Sequence, residues 1–181
     1  IYLDVSLKIP DLTGLSASNL SALELFEEPV NEALLALDSV DFSGRLIGDL
    51  TALGLNEVAM NLKALNGVEV NLQGTVDNVV SMKGLSIDAN LKAPNLTGLS
   101  NLGLLGEEPV NEELLSLGPV DLSGRLTGDL TILRLDDAAM SLRGLNGVEA
   151  NLQGAVDNVV TMKGLQVDFS LKAPNLMGLS T

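Results

Sequence analysis

The sequence predicts an all-β protein: a repetitive, strongly curved antiparallel sheet with one short helical or irregular crossover per repeat. Three observations lead there. Apolar and polar residues alternate with period two over many segments, as in strands with one dry and one wet face. Short clusters of Gly, Asn and Asp punctuate those segments. The whole pattern is then written again about 80 residues later.

The copies starting at Glu27 and Glu107 run in step for about 75 residues, with about 70 % identity. Shared blocks include "EEPVNE", "SGRL", "LNGVE", "NLQG", "VDNVV", "MKGL" and "LKAPNL". One block occurs three times, as "LDVSLKIPDLTGLS" from Leu3, "IDANLKAPNLTGLS" from Ile87 and "VDFSLKAPNLMGLS" from Val167. The chain thus divides into 1–26 (end of a preceding repeat plus crossover), 27–106 (first repeat) and 107–181 (second repeat and start of the next crossover). It opens on "IYLDVSLKIP" and reads as an internal piece of a longer array. The first crossover carries about four extra residues after Leu15, as expected of a connection.

In the second copy, "VDLSGRLTGDL" places Leu122, Gly124, Leu126 and Gly128 on one parity, with Asp121, Arg125 and Asp129 on the other. "LTILRL" extends this strand or begins another, and "LDD" at 135–137 reads as a break. "AAMSLRG" puts Met140 and Leu142 on the apolar side. "VEANLQGAV" adds Val148, Leu152, Gly154 and Val156, and "LQVDFSLKA" adds Leu165, Val167, Phe169 and Leu171. The first copy supplies Phe42, Gly44, Leu46 and Gly48, then Met60 and Leu62, then Val68, Val70, Leu72, Gly74 and Val76, then Leu85, Ile87 and Leu91. Breaks at "LNG", "DN" and "KG" are short, so successive strands should pair antiparallel as a meander. The stretch from Ala93 to Val120 is bounded by prolines, with helix-like spacing of Leu114, Leu115 and Leu117. It reads as a short helix or irregular crossover.

Glycines at 44, 48, 74, 124, 128 and 154 share the apolar parity. They remove bulk and let a strand coil, which curves the sheet with its apolar side concave. Two covers for that face compete. A second sheet would give a closed sandwich, an acidic adhesin or scaffold array without ligand. Alternatively the face is an open trough meeting something other than protein. Apolar residues make up 46 % of the chain but aromatics only 2 %, so the wall is aliphatic, which suits fatty chains. Each sheltered CH₂ contributes about 0.8 kcal/mol, so a sixteen-carbon acyl chain would gain on the order of 10 kcal/mol.

Composition removes other classes. A net charge of −14 without a Lys/Arg cluster argues against nucleic acid and anionic membrane surfaces. The chain has no Cys and no His, which excludes disulfides, thiolate metal sites and most catalytic triads. Asp121, Asp129, Glu149 and Asp168 fall singly on wet parities. Glu27/Glu28, Glu107/Glu108 and Asp136/Asp137 are expected in connections, as solvated charges rather than calcium ligands. No phosphate-cradling motif occurs. No catalysis, metal or cofactor is expected, and no apolar run approaches the roughly 20 residues of a membrane helix.

In order and spacing, "GPVDLSGRLTGDLTILRLDDAAMSLRG", "VEANLQGAVDN" and "MKGLQVDFSLKAPNLMGLS" resemble the repeats of the AsmA-like family of bacterial envelope proteins. The resemblance covers essentially the whole chain, about twice over. It implies a taco-like β-groove with a hydrophobic interior, lined here by the apolar-parity residues named above. It further implies a periplasmic location, an inner-membrane anchor outside this chain, and conduction of phospholipids toward the outer membrane. The implied partners are phospholipids or other acyl-chain lipids, with membrane contact through regions outside this chain. At about 4.8 Å per strand, two such repeats span only about 40–50 Å, so a bridge between membranes needs more of the same.

Overall fold

A computed structural model of the chain describes residues 1–10, 37–49, 51–64, 66–101, 117–129, 131–144, 147–161 and 163–173. They form one open antiparallel sheet of nine strands whose spatial order is the chain order. The strands are β1 (Tyr2–Ile9), β2 (Leu37–Gly48), β3 (Leu53–Ala64), β4 (Glu69–Asn78), β5 (Lys83–Ala93), β6 (Val120–Gly128), β7 (Leu133–Arg143), β8 (Glu149–Asn158) and β9 (Lys163–Lys172). A single-turn helix, α1 (Leu96–Asn101), follows β5. The expected all-β meander is therefore present. "LTILRL" begins a new strand, β7, rather than extending β6. The expected boundaries at 26/27 and 106/107, the extra residues after Leu15, the pairs Glu27/Glu28 and Glu107/Glu108, and Leu114 and Leu115 lie outside the described residues.

Registers repeat from copy to copy. Met60 stands opposite Leu72 as Met140 stands opposite Leu152. Gly74 stands opposite Ile87 as Gly154 does opposite Val167. On the apolar face, large apolar residues meet apolar or glycine partners and form unbroken rows across the sheet. One row takes a side chain from every strand: Ile9, Val40, Leu62, Val70, Leu91, Leu122, Met140, Leu152 and Phe169. The row also drifts. Leu91 lies two residues before Ala93, the counterpart of Ile9, and Phe169 lies two before Leu171, the counterpart of Leu91. Each set of four strands thus shears the row by two residues.

The aspartate pair Asp136/Asp137 is not in a connection. It lies inside β7, where the register slips between Leu135 and Ala138, and Asp137 takes φ 52°. Asn56 and Glu57 do the same in β3, with Glu57 at φ 54°. Both are β-bulges: two residues on one strand oppose one on its neighbour, which bends the strand and increases its twist.

Side-chain contacts hold the turns at one end of the sheet. The Asp49 carboxylate accepts from the N–H groups of Thr51 (2.8 Å) and Ala52 (2.9 Å) and from the Thr51 hydroxyl. Asp129 does the same with Thr131 and Ile132. Asn78 Oδ1 accepts from Val80 and Ser81, while its Nδ2 donates to Thr51 O in the adjoining turn. Asn158 repeats that arrangement. The dipeptide "DN" thus closes its own hairpin and ties it to its neighbour.

The main buried cluster lies at the opposite end, with Val58, Val76 and Val156 also buried within the sheet. Ala64, Val68, Ala93, Leu99 and Val120 cluster where α1 folds back, with Leu37, Leu96 and Leu142 packed around them. Val68 is 1 % exposed and Val120 is fully buried. No buried side-chain polar atom lacks a hydrogen bond among the described residues.

Hydrogen bonds from the threonine hydroxyl and then the backbone hold the Asp49 and Asp129 carboxyls below their ordinary pKa of 3.8. A depressed folded pKa gives stability that is full above 3.8 and fades as pH falls from there through the lower folded value. The double variant Asp49→Ala/Asp129→Ala should therefore melt lower at neutral pH. Its melting temperature should also fall less than that of the unaltered chain on acidification from about pH 5 to about pH 2.5. Thermal unfolding followed by circular dichroism at stepped pH checks both.

Candidate functional site

The two faces of the sheet differ in chemistry. One carries ion pairs between neighbouring strands. Arg45 on β2 bridges Asp4 on β1 (2.8 Å) and Glu57 at the β3 bulge (2.7 Å). It also lies 5.3 Å from the centre of the Tyr2 ring. Arg125 on β6 forks onto both oxygens of Asp88 on β5, at 2.7 and 3.0 Å. This contact holds the Asp88 carboxyl below its usual range and raises the pKa of the guanidinium. Lys63–Glu69 and Lys8–Asp41 add further pairs. These groups are half-buried to exposed, so each pair contributes little to stability, but together they keep this face wet.

The other face carries the apolar rows. Over β4 to β9 its residues line an open pocket of about 620 Å³. Each of six consecutive strands contributes to its wall: Val70, Leu91, Leu122, Met140, Leu152 and Leu165 are examples. Such a volume falls in the range of small-molecule and cofactor sites, which are concave and mostly apolar.

The residues expected to line a groove separate into groups. Val70, Leu91, Leu122, Leu126, Met140, Leu152, Val156, Leu165 and Val167 line the pocket, together with Gly124 and Gly154. Phe42, Leu46, Met60, Leu62, Leu72, Val76, Leu85 and Ile87 sit on the same apolar rows but beyond the pocket wall. Val68 belongs to the buried core, and Leu142 packs against it. Val148 precedes β8 and is half-buried. Phe169 and Leu171 lie on the edge strand, 62 % and 61 % exposed.

Leu135 lines the pocket but escapes a parity reading. The bulge at Asp136–Asp137 is the reason. An extra residue reverses the parity, so Leu135 and Met140 face the same way although an odd number of positions separates them. Leu55 and Met60 stand in the same relation.

The six glycines act in three ways. Gly44 and Gly124 oppose the bulges on β3 and β7. A Cβ at Gly44 would lie 2.9 Å from Leu55 Cδ1, and one at Gly124 would lie 2.7 Å from Leu135 Cδ1. Their bareness lets those leucines lie across the sheet. Gly74 and Gly154 sit beyond the bulges, where a Cβ would come within 1.9 Å of Ser86 O or 2.1 Å of Gln166 O. Gly48 and Gly128 end their strands, at φ 131° and 120°, and start the turns. Among the described residues no group of acidic side chains could hold a metal ion, and no helix is long and apolar enough to cross a membrane.

Compared with known proteins, the chain matches no family model, no curated protein and no solved structure.

The glycines give an internal contrast. Alanine at Gly74 would drive its methyl into a backbone carbonyl, which cannot yield without breaking the β4–β5 ladder. Alanine at Gly44 meets the end of a flexible leucine, which can turn aside. Gly74→Ala should cost more than about 2 kcal/mol and Gly44→Ala less than about 1 kcal/mol. Urea unfolding of the two variants, compared at equal slope, measures the difference.

Proposed function

We propose that this chain is a segment of a bridge-like lipid-transfer protein of a Gram-negative envelope. Its apolar face is a groove that shelters phospholipid acyl chains. Tails lie along the apolar rows, and headgroups stay at the open, wet edge. The repeated unit lengthens the groove without changing what it holds. Its location is the periplasm, with the inner-membrane anchor in another part of the protein. No reaction is catalysed.

One observation carries this reading. Apolar side chains run in register across nine strands, and among the described residues no second sheet lies over them. Leu3, Leu7, Leu165, Val167 and Phe169 are all at least half exposed. Leaving such surface in water costs about 25 cal/mol per Å², a cost that an aliphatic guest removes. The lining is Leu, Val, Met, Ala and Gly with few polar anchors, which suits a chain of methylenes without distinguishing one fatty chain from another. Nine strands give eight spacings of about 4.8 Å, or about 38 Å of wall, so spanning an envelope needs further units.

Mass spectrometry of lipid extracted from the purified protein tests the proposal. Phospholipid should be found at about one molecule or more per chain, and a clean protein would overturn the reading in favour of a lipid-free scaffold. Leu152→Arg places a charge in the middle of the pocket wall. It should lower bound lipid at least tenfold while the β-sheet circular dichroism stays unchanged. Glu69→Gln, on the wet face, should retain lipid.

A further inference from the structure

The two copies share their registers but differ in the size of a few side chains on the apolar face. In the first copy Val5 stands opposite Gly44, and Val58 stands opposite Gly74. In the second, Ala89 stands opposite Gly124, and Ala138 stands opposite Gly154. Leu122 likewise takes the place that Phe42 has in the first copy. All three changes remove carbon, and Ala89, Leu122 and Ala138 all lie in the wall of the pocket of about 620 Å³. The third writing of the β1/β5 block carries Phe169 at the same place. Of Val5, Ala89 and Phe169, the smallest is the one in the pocket.

The glycines of these pairs are held bare by their neighbours. A Cβ at Gly124 would lie 2.7 Å from Leu135 Cδ1, and one at Gly154 would lie 2.1 Å from Gln166 O. Depth therefore rests on the residue opposite each glycine. Val58 fills its place and is 8 % exposed. Ala138 is half-buried and lines the pocket. Strands β3 and β7 each lie between two paired neighbours, so this contrast comes from the side chain and not from an edge.

We propose that Ala89 and Ala138 fix where an acyl chain is held: the second repeat is a deep station across β5 to β8, and the first repeat is a shallower run. This rests on the lipid-groove reading and adds to it a place and a size limit. No charged side chain lines the pocket, so shape decides where a hydrocarbon chain settles. A deeper trough closes around more of each methylene, which removes more apolar surface from water and adds dispersion contacts. Valine at 89 and 138 would fill that depth with branched carbon. The first copy already carries valine at both equivalent places in the same pairing, so the sheet accommodates it.

The probe is a phosphatidylcholine with a photoactivatable diazirine midway along one palmitoyl chain. It is irradiated with the intact chain, and labelled residues are located by peptide mass spectrometry. Label should concentrate on residues 122–126, 138–140 and 152–156. In Ala89→Val/Ala138→Val it should fall there by at least about fivefold, with the β-sheet circular dichroism unchanged. Each single valine should lower it by at least about twofold, so the outcome does not hang on the double variant folding. Ala150→Val restores the first copy's Val70 at a place outside the pocket wall and should leave the label unchanged. Label spread evenly over both copies, label retained with both valines, or an equal loss with Ala150→Val overturns the station and leaves the lipid groove standing. Absence of label from the unaltered chain overturns both.

Discussion

Everything in this molecule depends on register. Among the described residues the sheet is a single layer, so its apolar side chains reach a common face only while each strand is paired at the right residue. A slip by one position would turn a whole strand's leucines outward and its aspartates inward. The ion pairs on the wet face reinforce the correct setting, since Arg45 and Arg125 each reach a carboxylate on the preceding strand only there. The turns add a second lock through Asp49, Asn78 and their counterparts, which fix the length of each hairpin. Among the described residues the buried cluster sits at the α1 end, with Val58, Val76 and Val156 buried elsewhere in the sheet.

Much of that order is legible in the sequence, and the illegible part has a clear physical cause. Alternation identifies the strands, since side-chain direction in a strand is a local property. Short Gly/Asn/Asp breaks identify the meander for the same reason. The bulges are different. Asn56–Glu57 and Asp136–Asp137 look like turn residues, yet they stay within β3 and β7 because the strands on both sides hold the flanking residues in the ladder. No local preference reports that. Parity counting consequently misses Leu135 while finding Met140. The burial of Val68 and Leu142 at the α1 end escapes too, because it depends on where a distant segment folds back.

The two bulges also explain how a nine-stranded sheet forms a pocket. A strand that bends at its middle brings its halves closer on one side, and Gly44, Gly74, Gly124 and Gly154 remove the side chains that would resist. Leu55 and Leu135 then fill the crease from the bulged strands. The pocket is lined from β4 to β9, while the apolar side of the edge strand β1 is open to solvent.

The two-residue drift of the apolar rows has a geometric consequence. Two residues correspond to about 6.8 Å along a strand, and four strands to about 19 Å across the sheet. A line that follows one row therefore runs about 20° away from the perpendicular to the strands. On a curved surface such a line is a screw thread rather than a hoop. With each added unit the thread would advance by the same pitch, so an edge that faces one way at one end of a long stack would have rotated by the other.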